Sequence, residues 1–416
     1  MARSPLTLAA SVTSALPGAV ATRVSPLSER VNGAFDSALV EIDGGVRVVV
    51  RVPNDENAAA RLADELRALD ALTAGVRELL PFQAPHVLGQ SSLGGVRAAV
   101  MSYVPGYRVE APHVPAGRGL APSLGAAIAA VHALPTSIVR SPGLPARTTS
   151  QVRAEVTRLL DRADATERVP VSLTARWRRA VADDGLWRFE TTVTLGGVTA
   201  ASFVVEDLDE VPTVTGLLEW HGLGVADPAL DLQWLASSPD AADDVFAAYS
   251  AAGGRSPDPM LRARSRLYAE LEFAKWLVHG YDEGNEDVLT DAEELLRSLA
   301  QSTGGEDIAA EELSDADSAL AMVANLAPSA VTVDTSMQTD AYDADELSGW
   351  LTEDDSPAAS PEGAGEPGGS VLTPDGQEHA TEPIELGDLE AEIAAAGDTE
   401  EAERASDAAL RRWLAD

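Results

Sequence analysis

The stretch Val214-Thr-Gly-Leu-Leu-Glu-Trp-His-Gly-Leu-Gly-Val-Ala-Asp-Pro-Ala-Leu-Asp-Leu-Gln-Trp-Leu235 decides how this chain is read. Its first residues are β-branched or apolar, so a strand is expected to end at Glu219-Trp220. Gly222 and Gly224 mark a loop that runs to Asp227-Pro228. Asp231 is then placed to open a helical turn. Upstream, Glu190–Trp220 reads as β-like throughout.

Further out, residues 36–52 read as a hairpin. Asp36–Ile42 and Val46–Val52 flank Asp43-Gly44-Gly45, a turn suited to positive φ. Val46, Val48, Val50 and Val52 share one face of the second strand, and Arg47, Val49 and Arg51 share the other. Asp55 is the expected N-cap of a helix over Glu56–Thr73, with Leu62, Leu66, Leu69 and Leu72 in one stripe. Glu65 points near that stripe, and a carboxylate there wants a cationic partner. Arg51 across the strand would give the pair that kinases use to hold nucleotide phosphates. A solvated Arg61–Glu65 pair on the helix is equally compatible with the spacing. Strands are expected at His86–Ser91 and Val96–Tyr103. From Leu120 the pattern turns helical, over Ser123–Leu134, Gln151–Ala165, Ser172–Asp183, Ala241–Ala252, Pro259–His279 and Asn285–Leu299. A strand-rich unit followed by a larger helical unit is α+β with two lobes, not alternating βαβ.

The stretch from Val214 to Leu235 resembles the second conserved block of the aminoglycoside and macrolide phosphotransferases, a protein-kinase-like family. That block runs roughly Gly-x-Ile-Asp-Trp, a short loop, then Gly/Ala-Asp-Pro-x-x-Asp-Leu. Other segments fall in register with it. Val48 to Pro53 and the Glu65 helix look like the third strand and C-helix. Ala99-Val100-Met101-Ser102-Tyr103-Val104-Pro105-Gly106 looks like the hinge, and Ala126–Leu134 like the helix after it. Trp187-Arg188-Phe189 precedes the catalytic loop, and Leu267–Gly280 looks like the closing helices. The resemblance spans about residues 5–300. It implies a small strand-rich lobe over 1–103 and a mainly helical lobe over 104–302. It also implies nucleotide contacts from Arg51, Glu65, Met101 and Tyr103, with ATP or GTP and Mg²⁺ as cofactors if the protein is active.

The catalytic loop departs from the family pattern His-Gly-Asp-Leu-x-x-x-Asn. In this chain it reads Leu195-Gly196-Gly197-Val198-Thr199-Ala200-Ala201-Ser202. The catalytic Asp position is Gly197, the Asn position is Ser202, and the metal-binding Asp of the second block is Glu219. Glu219 and Ser202 are thus the metal candidates. A positioned general base contributes about 10²–10⁴-fold, and Gly197 has no side chain to supply it. His221 and Glu206 are the candidate substitutes. The expectation is a phosphotransferase-family protein impaired in or lacking ordinary phosphotransfer, acting as a nucleotide- or partner-binding pseudoenzyme, with a cofactor-free protein as the other reading. The alternative is an active kinase acting with ATP or GTP on a hydroxyl of a sugar, macrolide or amino alcohol.

Composition bounds the rest. The chain has no cysteine, which excludes disulfides, thiolate metal sites and thiol catalysis. Six scattered His lack ligand spacing, so no zinc site is expected. The net charge is −37, and residues 303–416 hold 29 Asp and Glu against 3 Arg. This balance argues against nucleic acid as a partner. No run of 18 apolar residues occurs, so no membrane span is expected, and the chain reads as cytoplasmic. Residues 4–16 read better as a short helix ended by Pro17-Gly18 than as a signal peptide. The acidic segment 303–416 is expected to be mostly disordered. It repeats Leu-x-x-Trp-Leu at Leu347–Leu351, with Trp350, and at Leu410–Leu414, with Trp413. The pattern is either coincidence or a helix that docks a protein partner. The loop covering the nucleotide is expected at Ser28–Phe35, where Gly33 is the sole glycine.

Overall fold

The computed structural model describes residues 3–27, 34–253, 258–303 and 306–308. The tail positions Leu347, Trp350, Leu410 and Trp413 lie outside them, as do residues 28–33 of the expected nucleotide-covering loop.

Alternation along one strand gives the small lobe its two faces. Helix α1 (Pro5–Ala15) is capped by Ser4, whose Oγ accepts from the Thr7 amide. Strands β1 (Ala21–Pro26), β2 (Phe35–Ile42) and β3 (Val46–Pro53) follow. The β2–β3 turn holds Gly44 and Gly45 at φ 82° and 75°, a region open to glycine at little cost. Helix α2 (Glu56–Ala71) starts at Asp55, whose Oδ1 accepts from the Ala58 amide at 2.7 Å. After a short α3 (Ala74–Arg77), strands β4 (Val87–Leu93) and β5 (Val96–Ser102) complete an antiparallel sheet in the order β1-β2-β3-β5-β4. Val48, Val50, Val52, Ala98 and Val100 pack against Leu8 and Val12 of α1. On the opposite face, Ala99 packs with Leu62 and Leu66 of α2. Each such buried branched side chain contributes about 1.5–3 kcal/mol, which fixes the register and turns Arg51 toward α2.

The large lobe begins with α4 (Leu120–His132), α5 (Ser137–Arg140), α6 (Thr149–Ala165) and α7 (Val171–Ala182). Strand β6 (Thr192–Thr194), the hairpin β7 (Phe203–Leu208) and β8 (Val211–Leu217), and strand β9 (Gly224–Ala226) come next. A 3₁₀ segment, Pro228–Ser237, leads into α8 (Pro239–Ala252), α9 (Leu261–Glu283) and α10 (Glu286–Thr303). Helices α4 and α8 meet where a Cβ on Gly125 would lie 2.3 Å from the Val245 carbonyl oxygen. Only glycine permits that approach. The lobes are tied below the hinge by paired backbone bonds, Tyr107 with Val205 and Gln83 with Thr215 and Leu217. Packing continues past residue 302. Thr303 and Ile308 are buried, and the Arg176 guanidinium donates to the Glu306 carbonyl.

Two local expectations needed correction. β8 closes at Leu217, not at Glu219-Trp220. There the Leu218 amide turns to the Ser202 carbonyl at 3.0 Å, and Trp220 Nε1 donates back to the Leu217 carbonyl. The helical turn opens at Pro228, not at Asp231, because Asp227 caps it through the Ala229 amide. Strands β1 and β9 were not anticipated. β9 is three residues long and exists by pairing with β6, so no periodicity reveals it.

Candidate active site

The small-lobe part of the candidate site is built from β3, α2 and the start of β2. Arg51 Nη1 donates to Glu65 Oε2 at 2.5 Å, so the strand cation is the partner of the helix carboxylate. Glu65 is 2% exposed. The Arg51 guanidinium lies over the Phe35 ring, 4.2 Å from its centroid, and Arg61 approaches the same ring at 5.8 Å. Met101 is buried at the end of β5, in register with Val49 and Val87. Tyr103 follows, with the Arg47 guanidinium 4.4 Å from its ring centroid. Of the four residues expected at the nucleotide, Arg51 lies on β3, Glu65 on α2, Met101 on β5 and Tyr103 just beyond it.

The large-lobe part is the loop from Leu195 to Ser202. Its backbone hangs on one buried carboxylate. Asp231 accepts from the Leu195 amide at 2.7 Å and the Gly197 amide at 2.8 Å. His132 Nε2 lies 3.0 Å from the same carboxylate, and His132 Nδ1 lies 2.8 Å from the Tyr249 hydroxyl. Asp231 is fully buried and His132 nearly so, so this network is rigid and dry. Asp227 forms the second anchor. Its Oδ2 accepts from Arg264 Nε at 2.7 Å and from the Tyr268 hydroxyl at 2.8 Å. Burial disfavours the Arg264 charge, but Asp227 and Asp258 outweigh it and hold its pKa above the ordinary range. Burial, then Asp227, pushes the Tyr268 phenol well above its usual value.

The chemistry positions look different. Gly196 and Gly197 sit at φ 79° and 102°. A Cβ on Gly197 would lie 3.1 Å from Gln233 Nε2. This backbone is therefore set for glycine, and a carboxylate at 197 would be strained and pressed toward Gln233. Ser202 and Glu219 do come together: Ser202 Oγ donates to Glu219 Oε2 at 2.8 Å and accepts from the Thr199 amide at 3.1 Å. His221 is half-buried in the turn beyond Trp220. Its neighbour Gly222 packs on the loop, where a Cβ would lie 2.2 Å from the Leu195 carbonyl oxygen. Glu206 lies beside Gly106 below the hinge, so of the two candidate bases His221 is in the segment that touches the catalytic loop.

A kinase metal pair does not fit this donor set. Ser202 Oγ spends its hydrogen on Glu219 and one lone pair on the Thr199 amide, leaving one neutral hydroxyl lone pair and one carboxylate oxygen as donors. Among the described residues no group of three or more His, Cys, Asp or Glu could hold a metal ion. What the residues offer is a part-exposed guanidinium at Arg51 and a loop of fixed shape at Leu195–Ser202. Asp227, Asp231, His132, Arg264, Tyr268 and Gln233 were not singled out as site residues from sequence. The two Asp stand in the quoted block, but their roles depend on which backbone amides and cations the fold brings to them.

The profile of the phosphotransferase enzyme family (APH) matches residues 28–268. No curated protein matches the sequence significantly. Among solved structures, the apoenzyme of macrolide 2′-phosphotransferase MphH from Brachybacterium faecium is 26% identical. That match covers 66% of this chain and 93% of the other, with TM-score 0.57. Macrolide 2′-phosphotransferase type I is 23% identical over 67% of this chain and 92% of its own, with TM-score 0.53. The GDP complex of wild-type aminoglycoside 2′-phosphotransferase-IIIa is 17% identical over 72% and 100%, with TM-score 0.59. These likenesses carry the kinase-like fold. No described helix is long and apolar enough to cross a membrane.

Proposed function

We propose, starting from the fact that this chain belongs to the phosphotransferase enzyme family, that it is a nucleotide-binding pseudoenzyme of the antibiotic-kinase type. One observation carries this reading. The position of the catalytic carboxylate is Gly197, at φ 102° in a loop whose backbone is locked to Asp231. The missing base is worth about 3–5.5 kcal/mol of barrier. Arg51, Glu65, Met101 and Tyr103 support nucleotide binding, since the cation and its orienting carboxylate are both in place. The GDP complex of an aminoglycoside phosphotransferase relative makes guanine nucleotides, with adenine nucleotides, the first ligands to try. The acidic tail, with its two Leu-x-x-Trp-Leu elements, serves in this reading as an arm for a protein partner.

The test is turnover. Purified protein is incubated with ATP or GTP, Mg²⁺ and a panel of aminoglycosides and macrolides, and phosphorylated product is measured. The expected result is no product above the level of a Glu219→Ala variant. Product formation that Glu219→Ala abolishes would establish an active small-molecule kinase instead.

A further inference from the structure

We infer that this site takes a nucleoside di- or triphosphate as the metal-free anion, with Arg51 supplying the positive charge that a divalent ion supplies in kinases. The inference rests on the nucleotide-binding reading above and specifies its ligand. Mg²⁺ demands six oxygens in near-octahedral array, usually one or two carboxylates with phosphates and water. Here the two metal positions have closed on each other. Ser202 Oγ donates to Glu219 Oε2 at 2.8 Å and accepts from the Thr199 amide, which leaves it a single neutral hydroxyl lone pair. The pair carries one negative charge and offers one carboxylate oxygen and one neutral hydroxyl lone pair, a weak attraction for a dication.

The small-lobe part compensates. Arg51 carries a permanent charge and five N–H donors in a planar fork, which grips phosphate oxygens two at a time. Glu65 takes Nη1, and the Phe35 ring lies 4.2 Å beneath the guanidinium. The plane is thereby fixed before any ligand arrives, while the side chain stays 22% exposed. Holding the fork in place removes the ordering cost of gripping an anion. Arg61, 5.8 Å from the centroid of the same Phe35 ring, adds a second cation to this corner. A weakened metal pair in the large lobe and a fixed guanidinium in the small lobe are complementary, because the phosphate charge must be neutralised by one or the other.

The experiment is calorimetric titration of the full-length protein with ATP, GTP and GDP, in EDTA and in excess Mg²⁺. Affinity in EDTA is expected to match that in Mg²⁺ within about twofold. Arg51→Met combined with Glu65→Gln, which removes both charges of the pair together, is expected to weaken metal-free binding by about tenfold or more. Arg51→Lys, which keeps the charge and the partner but lacks the fork, tests the same point if the double variant does not fold. Its expected loss is about threefold to tenfold. Binding that appears only with Mg²⁺ overturns the inference and leaves the nucleotide-binding reading standing. Metal-free binding that survives both variants unchanged overturns the role of Arg51. Absence of binding in both buffers overturns the nucleotide reading, and the inference with it.

Discussion

The frame of the catalytic loop and the chemistry positions on that loop have diverged. The frame is complete: Asp231 satisfies two loop amides and His132, while Asp227 satisfies Arg264, Tyr268 and the Ala229 amide. The chemistry positions, separated from it by a few ångströms, hold a glycine where the family has its carboxylate and a serine where it has an asparagine. Frame residues are buried and bonded to several partners, so losing one unfolds something. Of the chemistry positions, Gly197 is half-buried and Ser202 fully buried, and neither carries a charge that ties the loop down. The two sets therefore answer to different constraints: the shape of the loop is held by buried charges and not by a side chain at 197.

The comparison can be broken most severely at Asp231. Asp231→Ala would leave two buried amides and a buried imidazole without their acceptor. The expected loss is about 3–5 kcal/mol, read by urea unfolding. A loss below about 1 kcal/mol would show that the loop does not depend on this carboxylate. Arg264→Leu should cost somewhat less, about 3 kcal/mol in the same measurement, because the buried Asp227 keeps Tyr268 and the Ala229 amide as donors. Gly197→Asp tests the other half. It should lower stability by about 1–3 kcal/mol through backbone strain and produce no phosphotransfer. Recovery of turnover by this single change would mean that the site is otherwise competent.

The smallest effect is expected at Tyr268. Tyr268→Phe removes one hydrogen bond to Asp227 and should cost about 1 kcal/mol at neutral pH. It also changes the alkaline limb. The folded state holds the phenol proton more tightly than the unfolded chain. Its contribution is therefore full below the ordinary tyrosine value of about 10 and is lost as pH rises through the folded value. The wild-type advantage over Tyr268→Phe should accordingly shrink as pH climbs past about 10. A difference that stays constant there would mean that the phenol ionises normally.

Much of this was legible in the residues. The alternation of Val48, Val50 and Val52 against Arg51, followed by a helix with Leu62, Glu65 and Leu66, contains the small lobe. A period of two and a period of 3.6 are local properties, readable without a fold. The Asp227-Pro228 block located the large-lobe loop, because a cap and a proline act on their own neighbours. What stayed hidden was non-local. Spacing left Glu65 open to Arg51 or Arg61, and only the sheet geometry selected the strand arginine. β9 could not be seen because its strand character comes from β6. Asp231 appeared as the start of a turn, whereas its carboxylate caps a loop 34 and 36 residues upstream.

By itself, then, the sequence determined the two-lobed order of elements, the family resemblance, and the absence of a carboxylate at 197 and an asparagine at 202. Those are statements about which side chains exist and how they repeat. The tertiary structure decided that the loop keeps its shape without them, that Ser202 and Glu219 bond to each other, and that Arg51 is held ready between Glu65 and Phe35. The physical reason is that hydrogen-bond partners and charge neutralisation are settled by proximity in space. Residues far apart in the chain meet only after the core has packed.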